Sequence, residues 1–174
     1  MRSMPCLRGK KSAMPPEGAG VPASDSGAQA HYRALEALYS AAPINRLFDS
    51  RLEIPSEGEA RILFTVDARY HHAAGGLHGT TYFKMLDDAA FYAANSLVTD
   101  RFLLTTAFNL LFTRPVIEGP IVAEGRWVSG RKRVFIAEAR LVDAEGEEVA
   151  RGTGTFMRSA FPLSTLAGYS DAQR

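Results

Sequence analysis

The 174-residue sequence contains one cysteine, Cys6, and no long apolar run. A single cysteine cannot build a disulfide framework or a cysteine-based zinc site. No apolar run reaches the roughly 20 residues that a membrane-spanning helix needs, and the N-terminus lacks the apolar stretch of a secretory signal. We therefore expect a cytoplasmic protein that does not associate with membranes.

The sequence also lacks an excess of charge of either sign. Its formal net charge is +1, so no overall electrostatic field would attract nucleic acid or an anionic membrane. Apolar residues make up 46% and charged residues 22% of the chain, which is typical of a globular protein. These values predict one folded domain that binds no nucleic acid.

Three segments follow from local composition. Residues 1–26 are rich in proline, glycine, serine and alanine, and they offer too little apolar surface to offset the entropy lost on ordering. We interpret this segment as a disordered tail, residues 27–160 as the folded domain, and residues 161–174 as a C-terminal tail. The domain begins with an amphipathic helix at residues 28–41, which Pro43 follows.

The hydrophobic pattern predicts one long helix among six strands. Residues 80–97 are apolar on nearly every face, which is typical of a helix buried inside a protein. Shorter runs with the alternation of strands occur before and after it, at residues 47–54, 60–66, 102–114, 121–128, 134–142 and 148–158. We predict an α+β fold in which an antiparallel sheet wraps around the long central helix, with an extra N-terminal helix.

Two adjacent carboxylates, Asp87 and Asp88, occur in the middle of this apolar helix. An ionised carboxylate is costly in an apolar interior unless it is paired, hydrogen-bonded or hydrated. Neighbouring residues on a helix point about 100° apart, so the two groups meet different surroundings. Lys84 precedes Asp88 at ion-pair spacing, which favours a structural role for Asp88 and leaves Asp87 as the candidate for chemistry.

A glycine-rich loop leads into the helix and contains Gly75, Gly76, His78 and Gly79. Glycine lets a backbone approach a ligand closely, and the first N–H groups of a helix have no partner within the helix. Such groups could stabilise a developing oxyanion. An ordinary glycine turn into a helix is the alternative interpretation.

Two motifs now resemble a known family. His78-Gly79, with an acid nine positions after the histidine in Leu86-Asp87-Asp88-Ala89-Ala90, resembles the signature of the PaaI-type branch of the hotdog-fold thioesterases, named for the phenylacetate pathway. In that branch His-Gly-Gly opens the central helix. The run from Thr105 to Pro115 resembles the family's next strand. The resemblance covers residues 45–158 and implies a hotdog fold.

The resemblance implies hydrolysis of an acyl-CoA or related acyl thioester without a cofactor. Asp87 would be the general base or nucleophile, the Gly79 N–H would donate to the carbonyl oxygen, and Thr105 would orient the attacking water from the other subunit. The family forms homodimers or dimers of dimers with active sites at subunit interfaces, and coenzyme A phosphates lie near basic residues. The predicted substrate contacts are Thr80, Asn109, Arg114, Arg131 and Lys132.

Two positions depart from the family pattern. His72 stands six positions before His78, where the family often has asparagine; an imidazole can donate or accept and could serve as a second base. Thr80 replaces the second glycine and could cap the helix. His78 is interpreted equally as a structural or a catalytic residue. The histidines show no sensible spacing for a third ligand, so we predict no metal site.

Other functions remain open at this point. A hotdog module that binds acyl-CoA without cleaving it is one alternative, and a hotdog hydratase or dehydratase is another. We expect the acyl tunnel to be lined by Tyr82, Phe83, Phe91 and Tyr92. The long apolar strand at residues 102–114 predicts pairing with a second copy of the chain.

Overall fold

The protein, described by a computed structural model over residues 26–173, consists of a curved antiparallel sheet around one long helix. Two short turns of 3₁₀ helix, Ala68–Tyr70 and Leu163–Thr165, interrupt the loops. The elements in chain order are α1 (Ser26–Ala41), α2 (Asn45–Phe48), β1 (Arg51–Ser56), β2 (Glu59–Val66), α3 (Gly79–Asn95), β3 (Arg101–Phe112), β4 (Gly119–Ser129), β5 (Val134–Val142), β6 (Glu148–Pro162) and α4 (Tyr169–Ala172).

The six strands form one sheet in the order β1-β2-β4-β5-β6-β3, and all neighbouring strands are antiparallel. This arrangement confirms the predicted α+β class. Between residues 26 and 173, no helix has both the length and the apolar character required to span a membrane.

Helix α3 fills the concave side of the sheet. Its residues Met85, Leu86, Ala89 and Ala93 are fully buried, as expected for a helix that is apolar on most faces. Strand β4 lies so close beneath it that a Cβ added at Gly125 would be 2.0 Å from the carbonyl oxygen of Ala89. The helix therefore rests directly on strand backbone, and this close approach requires glycine.

The two edges of the sheet differ. At β1, the side chain of Glu36 on α1 accepts a hydrogen bond of 2.8 Å from the Ile54 N–H. The next residue, Pro55, has no N–H and so cannot donate to a further strand. At β3, large apolar side chains such as Leu111 (60% exposed) and Phe112 (56%) face solvent. Helix α1 thus covers one edge, and β3 is the open edge of the described sheet.

The structure corrects three boundaries. The chain at 45–48, expected partly as strand, forms the short helix α2 before β1 begins. The last strand continues to Pro162, and the segment interpreted as a C-terminal tail (161–174) is ordered at least to α4, where the Tyr169 hydroxyl lies 2.7 Å from His31 Nδ1. Its apolar residues are too widely spaced to produce a periodic pattern. All but the last residue of the predicted disordered tail, 1–26, lies outside the described residues.

The contact at Gly125 generates a stability prediction. Gly125→Ala places a methyl group inside the backbone of α3, so we expect the free energy of unfolding to fall by about 3 kcal/mol. Urea denaturation followed by circular dichroism measures the change. Gly27→Ala on α1 is the matched control, because nothing lies within 4 Å of an added Cβ there. Equal stability of the two variants would contradict this packing.

Candidate active site

Asp88 is part of a buried ion-pair network that joins α1, α2 and α3. The Lys84 ammonium pairs with the Asp88 carboxylate and donates a second hydrogen bond of 2.6 Å to Asn45 Oδ1. The Lys84 and Asp88 side chains are only 14% and 18% exposed. The ion pair expected from the spacing of Lys84 and Asp88 is confirmed, and through Lys84 it links α3 to α2.

Asp87 points in another direction, towards strand β3. Its two carboxylate oxygens accept from the Thr105 hydroxyl at 3.0 and 3.3 Å. Burial raises the pKa of Asp87 to about 6; the Thr105 hydrogen bond lowers it, the nearby Asp88 charge raises it, and Lys84 lowers it. A carboxyl group with this pKa is well suited to accept a proton near neutral pH.

A β-bulge in β3 explains how Thr105 reaches Asp87. The register with β6 shifts between Thr105 and Ala107, so Thr106 is an extra residue in the ladder. Because side chains alternate along a strand, the bulge lets Thr105 before it and Phe108 after it both face α3. Asn109 is exposed and, by the same alternation, lies on the opposite face of β3, away from Asp87.

A second feature is a cleft of about 390 Å³ at the N-terminus of α3. It brings together four residues that the sequence had singled out, His72, Gly79, Tyr82 and Arg114, and most of the others are apolar. The lining residues are His72, Leu77, Gly79, Tyr82, Phe112, Thr113, Arg114 and Pro115. Sequence reasoning did not connect Pro115 and Phe112 with the glycine loop, because only the tertiary fold places the end of β3 beside the start of α3.

The first turn of α3 leaves one backbone donor available. His78 is the N-cap: its Nδ1 accepts from the Thr80 N–H at 3.2 Å and from the Thr80 hydroxyl at 2.8 Å, and its carbonyl accepts from the Thr81 N–H. His78, rather than Thr80, therefore supplies the cap. Within the described residues, the Gly79 N–H has no acceptor, so it is free to bind a ligand oxygen.

His72 is held by its own loop. Its Nδ1 accepts from the Ala74 N–H at 3.1 Å, and its ring lies over Gly76, where an added Cβ would be 3.2 Å from Nε2. Because Nδ1 is an acceptor, the neutral ring carries its proton on Nε2 and offers a donor. This tautomer favours donation over the role of second base. The neighbouring His71 binds the Ile117 carbonyl at 2.7 Å and supports the loop.

The predicted basic contacts occupy two separate places. Arg114 lines the cleft, where its exposed guanidinium lies 3.1 Å from Glu147 in a weak surface pair. Arg131 and Lys132 lie in the turn between β4 and β5, and Arg131 stacks 4.5 Å above the Trp127 ring. Trp127 and Leu97, which lies just beyond the C-terminal end of α3, both come within 4 Å of the position that a Cβ at Gly58 would occupy. Within one chain, this turn is therefore far from Gly79.

The four residues expected to line an acyl tunnel have different surroundings. Phe91 and Tyr92 are 7% and 6% exposed and belong to the core between α3 and the sheet, whereas Tyr82, 3% exposed, borders the Gly79 cleft. Only Phe83, at 42%, faces the open side of the helix. The sequence could not separate these neighbours, because a helix that is apolar on every face gives no directional signal.

Residues 26–173 contain no group of three or more histidine, cysteine, aspartate or glutamate side chains that could hold a metal ion. The chemistry available to this part of the chain is that of a carboxylate, a backbone N–H and hydrogen-bonding side chains. Asp87 and Gly79 are eight residues apart on one straight helix, which separates them by about 12 Å. The Asp87 carboxylate and the Gly79 N–H therefore lie in two separate regions of the same chain.

Comparison with known proteins identifies related chains. A family model described as the thioesterase superfamily matches residues 74–150, which include the glycine loop and all of α3. A candidate esterase of Saccharolobus solfataricus is 28% identical over 101 residues, which are 58% of this chain and 67% of that protein.

Solved structures show the same fold at low identity. The E. coli PaaI protein from the phenylacetic acid degradation operon is 21% identical, with a TM-score of 0.71 over 78% of this chain and 97% of that one. Thioesterase HI1161 from Haemophilus influenzae is 17% identical, with a TM-score of 0.65 over 74% of this chain and 89% of that one. The fold is thus the hotdog fold, as predicted.

The raised pKa of Asp87 predicts a pH-dependent stability. Since the folded pKa of about 6 exceeds the ordinary value of 3.8, the ionised carboxylate destabilises the fold above pH 6, and this effect disappears below pH 4. Asp87→Asn should therefore be more stable than the wild type at pH 8, by up to about 3 kcal/mol, and equal to it near pH 4. Urea denaturation at both values measures the difference.

Asp88→Asn is the matched control for this measurement. It leaves the Lys84 charge without its carboxylate in a mostly buried site, so we expect a loss of about 3 kcal/mol at pH 8. If Asp87→Asn were the destabilised variant, the assignment of the two carboxylates would be reversed.

Proposed function

We propose that this chain is a member of the thioesterase superfamily and hydrolyses an acyl-coenzyme A thioester to a free acid and a thiol, with Asp87 as the general base. The observation that carries the proposal is the Asp87 carboxylate, which forms no ion pair within 4 Å in the described part of the chain and accepts side-chain hydrogen bonds only from the neutral Thr105 hydroxyl. A carboxylate inside a largely apolar helix is costly, and a reaction at this position accounts for it.

The proposed reaction uses one water molecule. Asp87, oriented by Thr105, takes a proton from the water while the oxygen of that water attacks the carbonyl carbon of the thioester. The Gly79 N–H donates to the carbonyl oxygen as it becomes negative. The carbon–sulfur bond then breaks, and the thiolate leaves and receives the proton from Asp87. Direct attack by Asp87 on the carbonyl is the alternative, and both routes require the same carboxylate.

The site is completed by a second copy of the chain. Because Asp87 and Gly79 lie about 12 Å apart on one helix, they cannot reach the same carbonyl group. We propose a two-fold dimer, alone or within a dimer of dimers, that places Asp87 of one subunit opposite Gly79 of the other. The open, apolar edge of β3, which carries Thr105, supports pairing at this edge.

The cleft at Gly79 supports coenzyme A as the thiol. Arg114 at its rim can exchange its exposed partner Glu147 for a phosphate group, which a guanidinium binds in a fork geometry. The His72 Nε2–H supplies a further donor beside Gly79. Arg131 and Lys132 could contribute only from another subunit. Thr80 is engaged in the helix cap and Asn109 faces away, so neither has a part in the proposed reaction.

Asp87→Asn tests the base directly. We expect kcat for acyl-CoA hydrolysis to fall by roughly 10³-fold, since an amide cannot accept the proton. Thiol release measured with a thiol reagent gives the rate, and the wild-type rate should rise with pH through about 6 as Asp87 ionises. Asp88→Asn, assayed under conditions in which this less stable variant is still folded, should keep most of the activity. Tight acyl-CoA binding by the wild type without thiol release would instead favour the binding module.

Mixing two inactive variants tests the shared site. Gly79→Pro removes the proposed donor, and proline suits the first position of a helix after the extended backbone of His78. When Asp87→Asn and Gly79→Pro subunits exchange at random, half of the dimers contain one subunit of each variant. Each mixed dimer has one intact site out of two, so activity should return to about a quarter of the wild-type value. A monomeric wild type in light scattering, or mixed dimers without activity, would contradict the interface.

A further inference from the structure

Two aromatic pairs connect α3 with β3. Tyr82 and Phe112 pack together at the Gly79 cleft, with ring centroids 5.2 Å apart. Phe83 and Phe108 form the second pair, edge to face, with centroids 5.6 Å apart. Phe83 lies four residues before Asp87 and therefore on the same face of α3. The second pair is thus one helical turn from the proposed catalytic carboxylate.

Strand β3 places Phe108 on the same side. Phe108 follows Thr105 by three residues, and the bulge between them turns both side chains towards α3. The hydroxyl that holds Asp87 and the ring that contacts Phe83 therefore come from one short stretch of strand. An acyl group attached to a carbonyl carbon near Asp87 lies beside this stretch.

The ring of Phe108 occupies a slot in the sheet. A Cβ added at Gly152 on β6 would lie 2.3 Å from its Cε1 atom, and one added at Gly154 would lie 2.6 Å from its Cδ2 atom. These two positions on β6 therefore carry no side chain, and the space above them is occupied by the Phe108 ring, together with the Phe156 ring at Gly154. Without the ring, a space floored by glycine would open next to Phe83.

The pair also differs from the other aromatic residues of α3 in its exposure. Phe83 is 42% exposed and Phe108 is half-buried, whereas Phe91 and Tyr92 are enclosed in the core. The two rings consequently form an accessible wall beside Asp87 that does not belong to the rigid centre of the fold. Such a wall can limit the size of a bound group without being needed for folding.

We propose that Phe83 and Phe108 together set the longest acyl group that the site accepts, with Phe108 closing a pocket whose floor is Gly152 and Gly154. This inference rests on the proposed thioester hydrolysis at Asp87. The acyl group ends against the two rings, so short chains fit and longer chains are excluded. Removing the Phe108 ring opens the slot and admits additional methylene groups.

A series of straight-chain acyl-CoA substrates, from acetyl to palmitoyl, tests the proposal by thiol release. We expect Phe108→Ala to move the optimum of kcat/KM to longer chains and to raise the ratio of long-chain to short-chain kcat/KM by roughly tenfold. Phe83→Ala, at an exposed position, should shift the profile in the same direction. If Phe108→Ala does not fold, Phe108→Leu replaces it in the same measurement. Phe161→Ala removes an exposed ring (55%) far along β6 and should leave the profile unchanged.

The outcomes separate the two proposals. If the wild type releases thiol from these substrates and Asp87→Asn does not, but Phe83→Ala and Phe108→Leu keep the wild-type profile, the size limit is wrong and the proposed function stands. A uniform fall in kcat at every chain length would show that the rings only position Asp87, and it would also overturn the size limit. If the wild type releases no thiol at any chain length, the proposed function fails as well.

Discussion

The site depends on one costly interaction, the burial of a carboxylate on a helix that the sheet encloses. The close contact of α3 with β4 at Gly125 removes water from most of the helix, and Asp87 remains on the single side that opens towards β3. Its pKa rises because solvation of the charge is lost, and one neutral hydroxyl only partly compensates. The same enclosure that builds the core therefore raises the pKa of this carboxyl group towards neutral pH.

The neighbouring carboxylate shows how the fold separates structure from chemistry. Asp88 faces Tyr39 on α1 and pairs with Lys84 of its own helix, which also donates a hydrogen bond to Asn45 on α2. Asp87, about 100° further round the helix, meets only Thr105. Two identical side chains thus acquire different roles from the elements packed against each face, and the covered edge at β1 leaves β3 as the exposed surface beside Asp87.

Much of the fold and part of the candidate site could be predicted from the sequence. The apolar pattern located α3 and the strands β4 and β5 closely, the Lys84 spacing identified its ion pair with Asp88, and the motif at His78 pointed to Gly79 and Asp87. The bulge at Thr106 could not be predicted, since β3 carries apolar residues at adjacent positions on both sides of it, so there is no clear alternation in which a shift by one residue would show. The order of the C-terminal segment was missed because its contacts, such as Tyr169 with His31, span 138 residues.

The sequence by itself determined which helix is buried, where it begins and which residues on it carry charge, because these follow from periodicity and spacing along one element. Only the tertiary structure decided which way each side chain faces: that His78 caps the helix while His72 offers a donor, and that Phe108 fills a glycine slot beside Phe83. These arrangements join residues from different elements. Their geometry is fixed by packing between elements, which no local pattern records.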